Sequence, residues 1–397
     1  MEDVAGMIFS GPEFKKMDEN MRMLTVDVFK AIPRPTVSTA APLASAAAAA
    51  AARDGVDRIS RLPVGILRNI VSRLPAKDAA RTTALAKRWR RVWHSVPLVL
   101  VDAHLLSDRS VVGRGRGSTQ FREMGLDSWY AGLFRILDAM GTLADNVSHV
   151  LAAHPGPFAF VYLAGNNMLY HPDKLELWLK LLAAKGVKEL VFVNLASKFD
   201  DQLPIPAELF NCTALTKLYI GTWCFPDTST SHLPPTAAFP YLRELGLCNL
   251  LIKDEDLAFL LDRCPVLEKL MIARARWPVC LRIHSRSLRS VQVCMAIVPE
   301  INVVRATRLE RLFLWEAFLE EMVIVMTHGH LPSDNLGAKL RIFMASAKWA
   351  NGCCKMMVFK SPFEQEGTAW CYLRGFDFSI EDPFDVSKCR EDKCAAH

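Results

Sequence analysis

The residues whose types could support catalysis or metal binding are thinly spread through this 397-residue chain. His328-Gly-His330 is a histidine pair at strand or loop spacing, which reads more readily as surface than as metal ligands. Cys353-Cys354, Cys371, Cys389, Cys394 and His397 could supply soft ligands, but no C-x-x-C spacing occurs among them. Asp200-Asp201 and Asp254-Glu255-Asp256 are carboxylate clusters of the kind used in general acid–base work. The second stands where a helix should begin, and the helix dipole accounts for it better. Gly113-Arg-Gly-Arg-Gly117 has the glycines of a phosphate cradle, but no lysine-serine pair follows and no strand-turn-helix context surrounds it. It reads as a flexible loop. Neither a G-x-S-x-G elbow, a G-x-x-x-x-G-K-[ST] loop nor an H-E-x-x-H helix is present. No catalytic residue, metal or cofactor is therefore expected, and the chain is read as no enzyme in its own right.

What the chain does carry is a binding module, Asp57–Pro97. Pro63 can open a helix because its missing N–H costs nothing at a first helical position. Ile66, Leu67, Ile70, Val71 and Leu74 follow at helical spacing, and Pro75 stops the run. Leu85, Trp89, Val92 and Trp93 form a second apolar stripe. Helices of about three turns are marginal alone, so these faces must be buried on neighbours or on a partner. The module holds eight Arg and two Lys against two Asp, which leaves the rest of a +6 chain slightly acidic. The stripe Lys87-Arg88-Trp89-Arg90-Arg91-Val92-Trp93 could meet phosphates. Helical spacing of the tryptophans favours packing instead, with the arginines facing an acidic protein partner.

Leu62-Pro63, the Ile66-Leu67…Ile70 stripe, Leu74-Pro75-x-Lys77-Asp78 and Leu85-x-x-Arg88-Trp89…Trp93 resemble an F-box, in the plant form that precedes leucine-rich repeats. Two positions depart from that pattern. Val64-Gly65 stands where an acidic pair is usual, and Ala86 where a serine is usual. Neither departure removes an apolar anchor. The resemblance implies docking to a Skp-type adaptor and, through it, to a cullin–RING ubiquitin ligase. It implies an adaptor-facing patch of Leu62, Pro63, Ile66, Leu67, Ile70, Leu74 and Pro75. Leu85, Trp89 and Trp93 would close the small helical fold and join that contact.

Beyond the module a motif with apolar residues at positions 1, 4 and 6 recurs. It runs through Phe158-Val161-Leu163, Val187-Leu190-Phe192, Leu215-Leu218-Ile220, Leu242-Leu245-Leu247, Leu267-Leu270-Ile272, Leu288-Val291-Val293 and Leu309-Leu312-Leu314. Central positions lie 29, 28, 27, 25, 21 and 21 residues apart, the signature of leucine-rich repeats. The fold class is thus α/β: a small all-helical F-box followed by a leucine-rich-repeat solenoid of about seven recognisable units. Lys174–Ala184 and Asp254–Asp262 read as amphipathic helices between strands, while the shorter last units leave room only for turns or extended pieces. Asp262-Arg-Cys-Pro-Val-Leu-Glu-Lys-Leu270 resembles the corresponding stretch of plant F-box/leucine-rich-repeat proteins of the FBD type.

The expected organisation is a disordered Ala/Pro-containing tail over 1–54, the F-box over 55–98, and a connecting loop and helix over 99–146. Repeats follow over 147–320, then an atypical cap or tail over 321–397. No secretory signal and no spanning helix are read, so cytoplasm or nucleus is the expected location. The eleven cysteines read as reduced thiols. As the family role implies, the repeats would recruit an unidentified protein substrate. Candidate contacts between the buried strand positions are Lys188, Lys217, Tyr219, Arg243, Lys269, Arg289, Arg311 and Phe313. Two rival readings remain: an interaction scaffold with a degenerate F-box outside any ligase, and a nucleic-acid binder working through the basic helix.

Overall fold

The computed structural model describes parts of residues 24–35, residues 59–105 with few gaps, and residues 142–164, 168–195, 203–228, 238–275 and 278–298. Short stretches follow as far as Cys371. Clustering of contacts divides the chain into two compact units: Met1–Met21 with Arg34–Asp201, and Arg22–Pro33 with Gln202–His397.

In the first unit each Leu-Pro corner starts a helix. Pro63 is the N-cap of α1 (Val64–Ser72), one residue ahead of the position expected, and its carbonyl accepts the Ile66 and Leu67 amides at 3.0 and 3.1 Å. Pro75 does the same for α2 (Ala76–Arg81), accepting from Asp78 and Ala79 at 2.9 and 2.8 Å. It therefore opens the next helix rather than merely ending the last, because α1 already stops at Ser72. Helix α3 (Lys87–Ser95) starts from Ala86, which has no side chain to cap it. Val96-Pro97 then leads straight into β1 (Leu98–Val101).

Strand β1 pairs in parallel with β2 (Phe158–Leu163), and β2 with β3 (Glu189–Val193). The sheet thus begins where the helical module ends. Asp102, fully buried, holds the corner: its Oδ2 accepts the Ala164 amide at 2.8 Å, just past β2. Helix α4 (Pro172–Ala184) buries Leu175, Trp178, Leu179 and Leu182, the stripe read from the sequence. The Gly113–Gly117 loop of the connecting segment lies outside the described residues.

The second unit is built on parallel strands. Its main sheet runs β4 (Lys217–Gly221), β5 (Glu244–Cys248), β6 (Lys269–Ala273), β8 (Ser290–Cys294), β10 (Arg311–Trp315), β13 (Arg341–Ala345), β16 (Trp370–Cys371). In-register pairing aligns Leu218, Leu245, Leu270, Val291 and Leu312 in one row, each fully buried. Thr222, Asn249 and Arg274 follow their strands in the left-handed region, with φ of 62, 48 and 52°. Each donates its amide to the last carbonyl of the next strand at 2.8–2.9 Å. That bond fixes a turn costing roughly 1–2 kcal/mol in a non-glycine residue.

Between β5 and β6 lies α5 (Asp254–Asp262). In the later, shorter units its place is taken by a second parallel sheet, ordered β15 (Lys355–Phe359), β12 (Glu321–Val325), β9 (Glu300–Val304), β7 (Leu281–Ile283).

Three expectations need correction. Strands continue beyond Glu320: β13 pairs with β10 along its whole length, Leu312 opposite Ile342 and Leu314 opposite Met344. The pattern went unread there because Lys339 stands where the first apolar position would fall. The tail is not wholly structureless, since residues 24, 25, 27–29 and 31 are helical, and Thr25, Val28, Phe29 and Ile32 are 7% exposed or less. Those four sit at i, i+3, i+4 and i+7, one helical face. Finally, the middle row of the alternate face is closed to water from β4 to β8: Tyr219, Met271 and Gln292 are at most 1% exposed.

Candidate functional site

The three helices pack through Leu67 and Val71 of α1, Ala76 and Ala79 of α2, and Trp89 and Val92 of α3, all buried. Arg88 ties α3 to the first corner, its Nη2 donating to the Leu62 carbonyl at 2.7 Å. Arg90 donates to the Thr83 carbonyl and Arg68 to Ser95 Oγ, both at 3.2 Å. Three arginines of the basic stripe and its neighbourhood thus bond to the module itself.

With those apolar residues inside, five others stand out in water. Ile59 is 56% exposed, Val64 42%, Ile66 50%, Ile70 36% and Leu85 66%. Pro63 is exposed too, and Leu62 and Leu74 are half-buried. An exposed apolar set of this density on a three-helix module marks an interaction surface.

The residues read as adaptor-facing therefore separate. Ile66, Ile70 and Pro63 are presented, with Leu62 and Leu74 at the margin. Leu67 and Pro75 belong to the interior, because they fall on the inner side of α1 and at the foot of α2. Trp89 is also interior, 3% exposed. Leu85 does the opposite of closing the fold and is the most exposed of the set. Ile59 and Val64 were missed. Both continue the apolar character of the Leu62–Ile70 run and could have been taken from it.

Trp93 turns towards the first strands rather than outward. Its ring meets His154 edge-on at 4.8 Å, and His154 meets Phe158 edge-on at 5.4 Å. His154 is fully buried and its Nε2 lies 3.2 Å from the Val96 carbonyl. Burial holds its pKa below the ordinary histidine value, against the opposing pull of the Val96 carbonyl. Lys185 donates to the carbonyls of Leu151 and His154, closing the helical run of residues 142–153. This knot joins the helical module to the first repeat strands.

On the repeats, register sets Lys217, Glu244 and Lys269 in one row across β4, β5 and β6. Glu244 bridges both lysines, at 3.8 Å to Lys217 and 3.0 Å to Lys269. Arg243 pairs with Glu268 at 3.0 Å. Tyr219 lies in the closed face and offers nothing to a partner from solution. Lys188 and Arg289 are exposed and Arg311 half-buried, while the Phe313 side chain lies outside the described residues.

The carboxylates of α5 are structural ties between repeats. Asp254 Oδ1 accepts the Cys280 amide at 2.9 Å, and Asp256 Oδ1 accepts the amide and hydroxyl of Thr228 at 2.8 and 2.6 Å. Cys212, Cys224, Cys248, Cys264, Cys280 and Cys294 are thiols outside any disulfide, and burial pushes Cys212 and Cys264 up to about 12. Thiols held that far from ionising are packing residues. The histidine pair and the C-terminal cysteine side chains lie outside the described residues, as does Asp200-Asp201. Among the described residues no helix is long and apolar enough to cross a membrane.

Residues 59–100 match the family described as the F-box domain, and residues 175–333 match the leucine-rich repeats of the FBD-associated F-box protein At5g56370. Similar Arabidopsis thaliana proteins include the F-box/FBD/LRR-repeat protein At1g13570, 30% identical over 222 residues, 55% of this chain and 44% of that protein. The F-box/LRR-repeat protein At3g26922 is 27% identical over 220 residues, 55% of this chain and 60% of that protein. The F-box/LRR-repeat protein At2g42720 is 27% identical over 257 residues, 62% of this chain and 51% of that protein. The chain spans about half the length of these curated relatives. A Pro-started helical module with unburied aliphatic side chains, followed by parallel strands at leucine-rich spacing, agrees with both matches. These matches give the chain an F-box and a leucine-rich-repeat region similar to those of plant F-box/LRR-repeat proteins.

Proposed function

We propose that this chain is a substrate-receptor subunit of an SCF-type cullin–RING ubiquitin ligase, working in the cytoplasm or nucleus. The F-box docks on a Skp-type adaptor, the repeats recruit a protein target, and the ubiquitin chemistry belongs to other subunits. The observation that carries this reading is the exposed aliphatic set Ile59, Val64, Ile66, Ile70 and Leu85 on a module whose Leu67, Val71, Trp89 and Val92 are packed inside. Buried aliphatic anchors in a partner's groove supply most of the affinity in such contacts. The arginine hydrogen bonds to Leu62, Thr83 and Ser95 favour a protein partner over nucleic acid, since those guanidinium groups already bond within the module.

The test is co-purification of the full chain with a recombinant Skp-type adaptor, beside Ile66→Asp/Leu85→Asp. A complex formed by the native chain and lost in the variant, with an unchanged melting curve, is the expected result. No complex with the folded native chain would overturn the ligase reading in favour of a scaffold with a degenerate F-box. Steeply salt-dependent binding to nucleic acid that survives the double substitution would point to the basic helix instead.

A further inference from the structure

The middle rows of strands β4, β5, β6 and β8 in the second unit are buried on both faces. Leu218, Leu245, Leu270 and Val291 fill one side, as leucine-rich spacing requires. On the other side register aligns Tyr219, Gly246, Met271 and Gln292, and these too are shut off from water. Short strand units supply an apolar face to their neighbours, but nothing in the repeat pattern demands a cover for the alternate face. Parallel strands bury both faces only when another layer lies over them.

Within the same compact unit lies a segment far away in sequence, Arg22–Pro33. Its apolar side chains Val28, Phe29, Ala31 and Ile32 are 1, 7, 3 and 3% exposed, as no free tail would leave them. Asp27 is likewise buried, and its Oδ2 accepts from Arg274 through Nε at 2.8 Å and Nη2 at 2.5 Å. Arg274 is the left-handed residue immediately after β6, so the pair stands at the end of the strand that carries Met271. Gln292, in the same closed row, keeps its Oε1 buried without a hydrogen-bond partner among the described residues. An apolar row ending in a cation, with an unused polar atom inside it, has the chemistry of a groove for an amphipathic helix that carries a carboxylate.

We propose that residues 24–32 are a built-in strap that occupies this groove. A target segment with the same pattern would take it when the strap leaves: an acidic residue, apolar residues at +1 and +2, and again at +4 and +5. Asp27-Val28-Phe29-Lys30-Ala31-Ile32 is that pattern as it stands here. The groove deepens the reading of the repeats as the recruiting surface and rests on that part of it alone, so failure of adaptor binding leaves it standing. Tethering gives the strap a local concentration near millimolar, so an intact chain should resist micromolar competitors.

The test keeps the full chain and replaces Ala46–Ala52 with a seven-residue protease site. After cleavage the N-terminal fragment should stay with the body on size exclusion. Asp27→Lys or Arg274→Glu should weaken its retention at least tenfold, and Asp27→Lys combined with Arg274→Glu should restore it. A labelled peptide of residues 22–33 should bind the cleaved chain, after removal of the fragment, roughly a hundredfold more tightly than the uncleaved chain. Restoration by the double charge swap shows that the single variants did not simply misfold. Loss of the fragment from the cleaved native chain as readily as from Asp27→Lys would overturn the proposal. So would retention by Arg274→Glu, or equal peptide binding before and after cleavage.

Discussion

Ile66 and Leu67 are adjacent in sequence, nearly identical in composition and opposite in consequence. Leu67 is fully buried between α1 and α3, so Leu67→Ala should cost about 2–5 kcal/mol of stability through lost transfer energy and the cavity left behind. Ile66 is half exposed and Leu85 two-thirds exposed, so removing both should move stability by no more than about 0.5 kcal/mol each. Their value appears only when a partner covers them. Fully burying such a side chain is worth about 1.5–3 kcal/mol, so the exposed fractions of the two, 50% and 66%, amount to roughly 2–3.5 kcal/mol together. That predicts a loss of about 30- to 300-fold in adaptor affinity for Ile66→Ala/Leu85→Ala. Urea unfolding followed by tryptophan fluorescence reads the first quantity and titration calorimetry with a Skp-type adaptor reads the second. The reasoning fails if the double variant unfolds as early as Leu67→Ala. It fails equally if the double variant binds the adaptor as the native chain does.

Two glycines should respond to alanine with opposite signs. Gly65 has open space where a Cβ would go, so Gly65→Ala should stabilise the F-box by about 0.5–1 kcal/mol in urea unfolding. At Gly246 the new Cβ would meet the Tyr219 ring at 2.3 Å, and Gly246→Ala should cost about 1–3 kcal/mol, with the penalty abolished in a Tyr219→Ala background. Ala86→Ser supplies the missing cap of α3 and should raise stability by about 1 kcal/mol, seen as a higher melting temperature. Burial holds His104, His154 and His171 below the ordinary histidine pKa, so below about pH 6.5 the unfolded chain binds protons that the folded one refuses. Stability should therefore fall on acidification by up to about 1.4 kcal/mol per pH unit per histidine until the folded-state pKa is reached, and His154→Phe should flatten the slope.

The sequence was legible where one physical rule acted alone. Helical spacing placed the stripe of α4, and Asp254-Glu255-Asp256 announced the start of α5, because nothing in the surroundings competes with those local preferences. It was illegible where partners distant in the chain decide. Spacing says that Ile66 and Leu67 both lie near the apolar side of α1, but only the position of α3 turns one inward and leaves the other in water. Strand β13 pairs in register with β10, and β16 with β13, although Lys339 breaks the leucine pattern, since a ladder needs backbone and two apolar positions rather than three. The stripe Thr25, Val28, Phe29, Ile32 was present to be read, but Pro33, Pro35, Pro42 and the alanine run drew the segment into a tail.

If the repeats recruit a target, as proposed, closure of the middle of the alternate sheet face limits where it can bind. Alternation along a strand gave Tyr219 the same standing as Lys217 or Arg243, yet Tyr219 is sealed and the charged residues are not. Lys217 and Lys269 share Glu244, whose side chain is only 14% exposed, while Arg243 holds Glu268 in a more exposed pair, of the kind that contributes little and yields readily to a partner's charge. Arg243 and Arg289 directly precede β5 and β8, and with the exposed Tyr241 and Val266 they make a basic rim with apolar points at the start of the strands. Arg274 lies at the other end, just after β6. The rim is open at all times, whereas the groove opens only when residues 24–32 leave it. A target that binds the rim alone would be indifferent to the strap, and one that needs the groove would be held off until the strap is displaced.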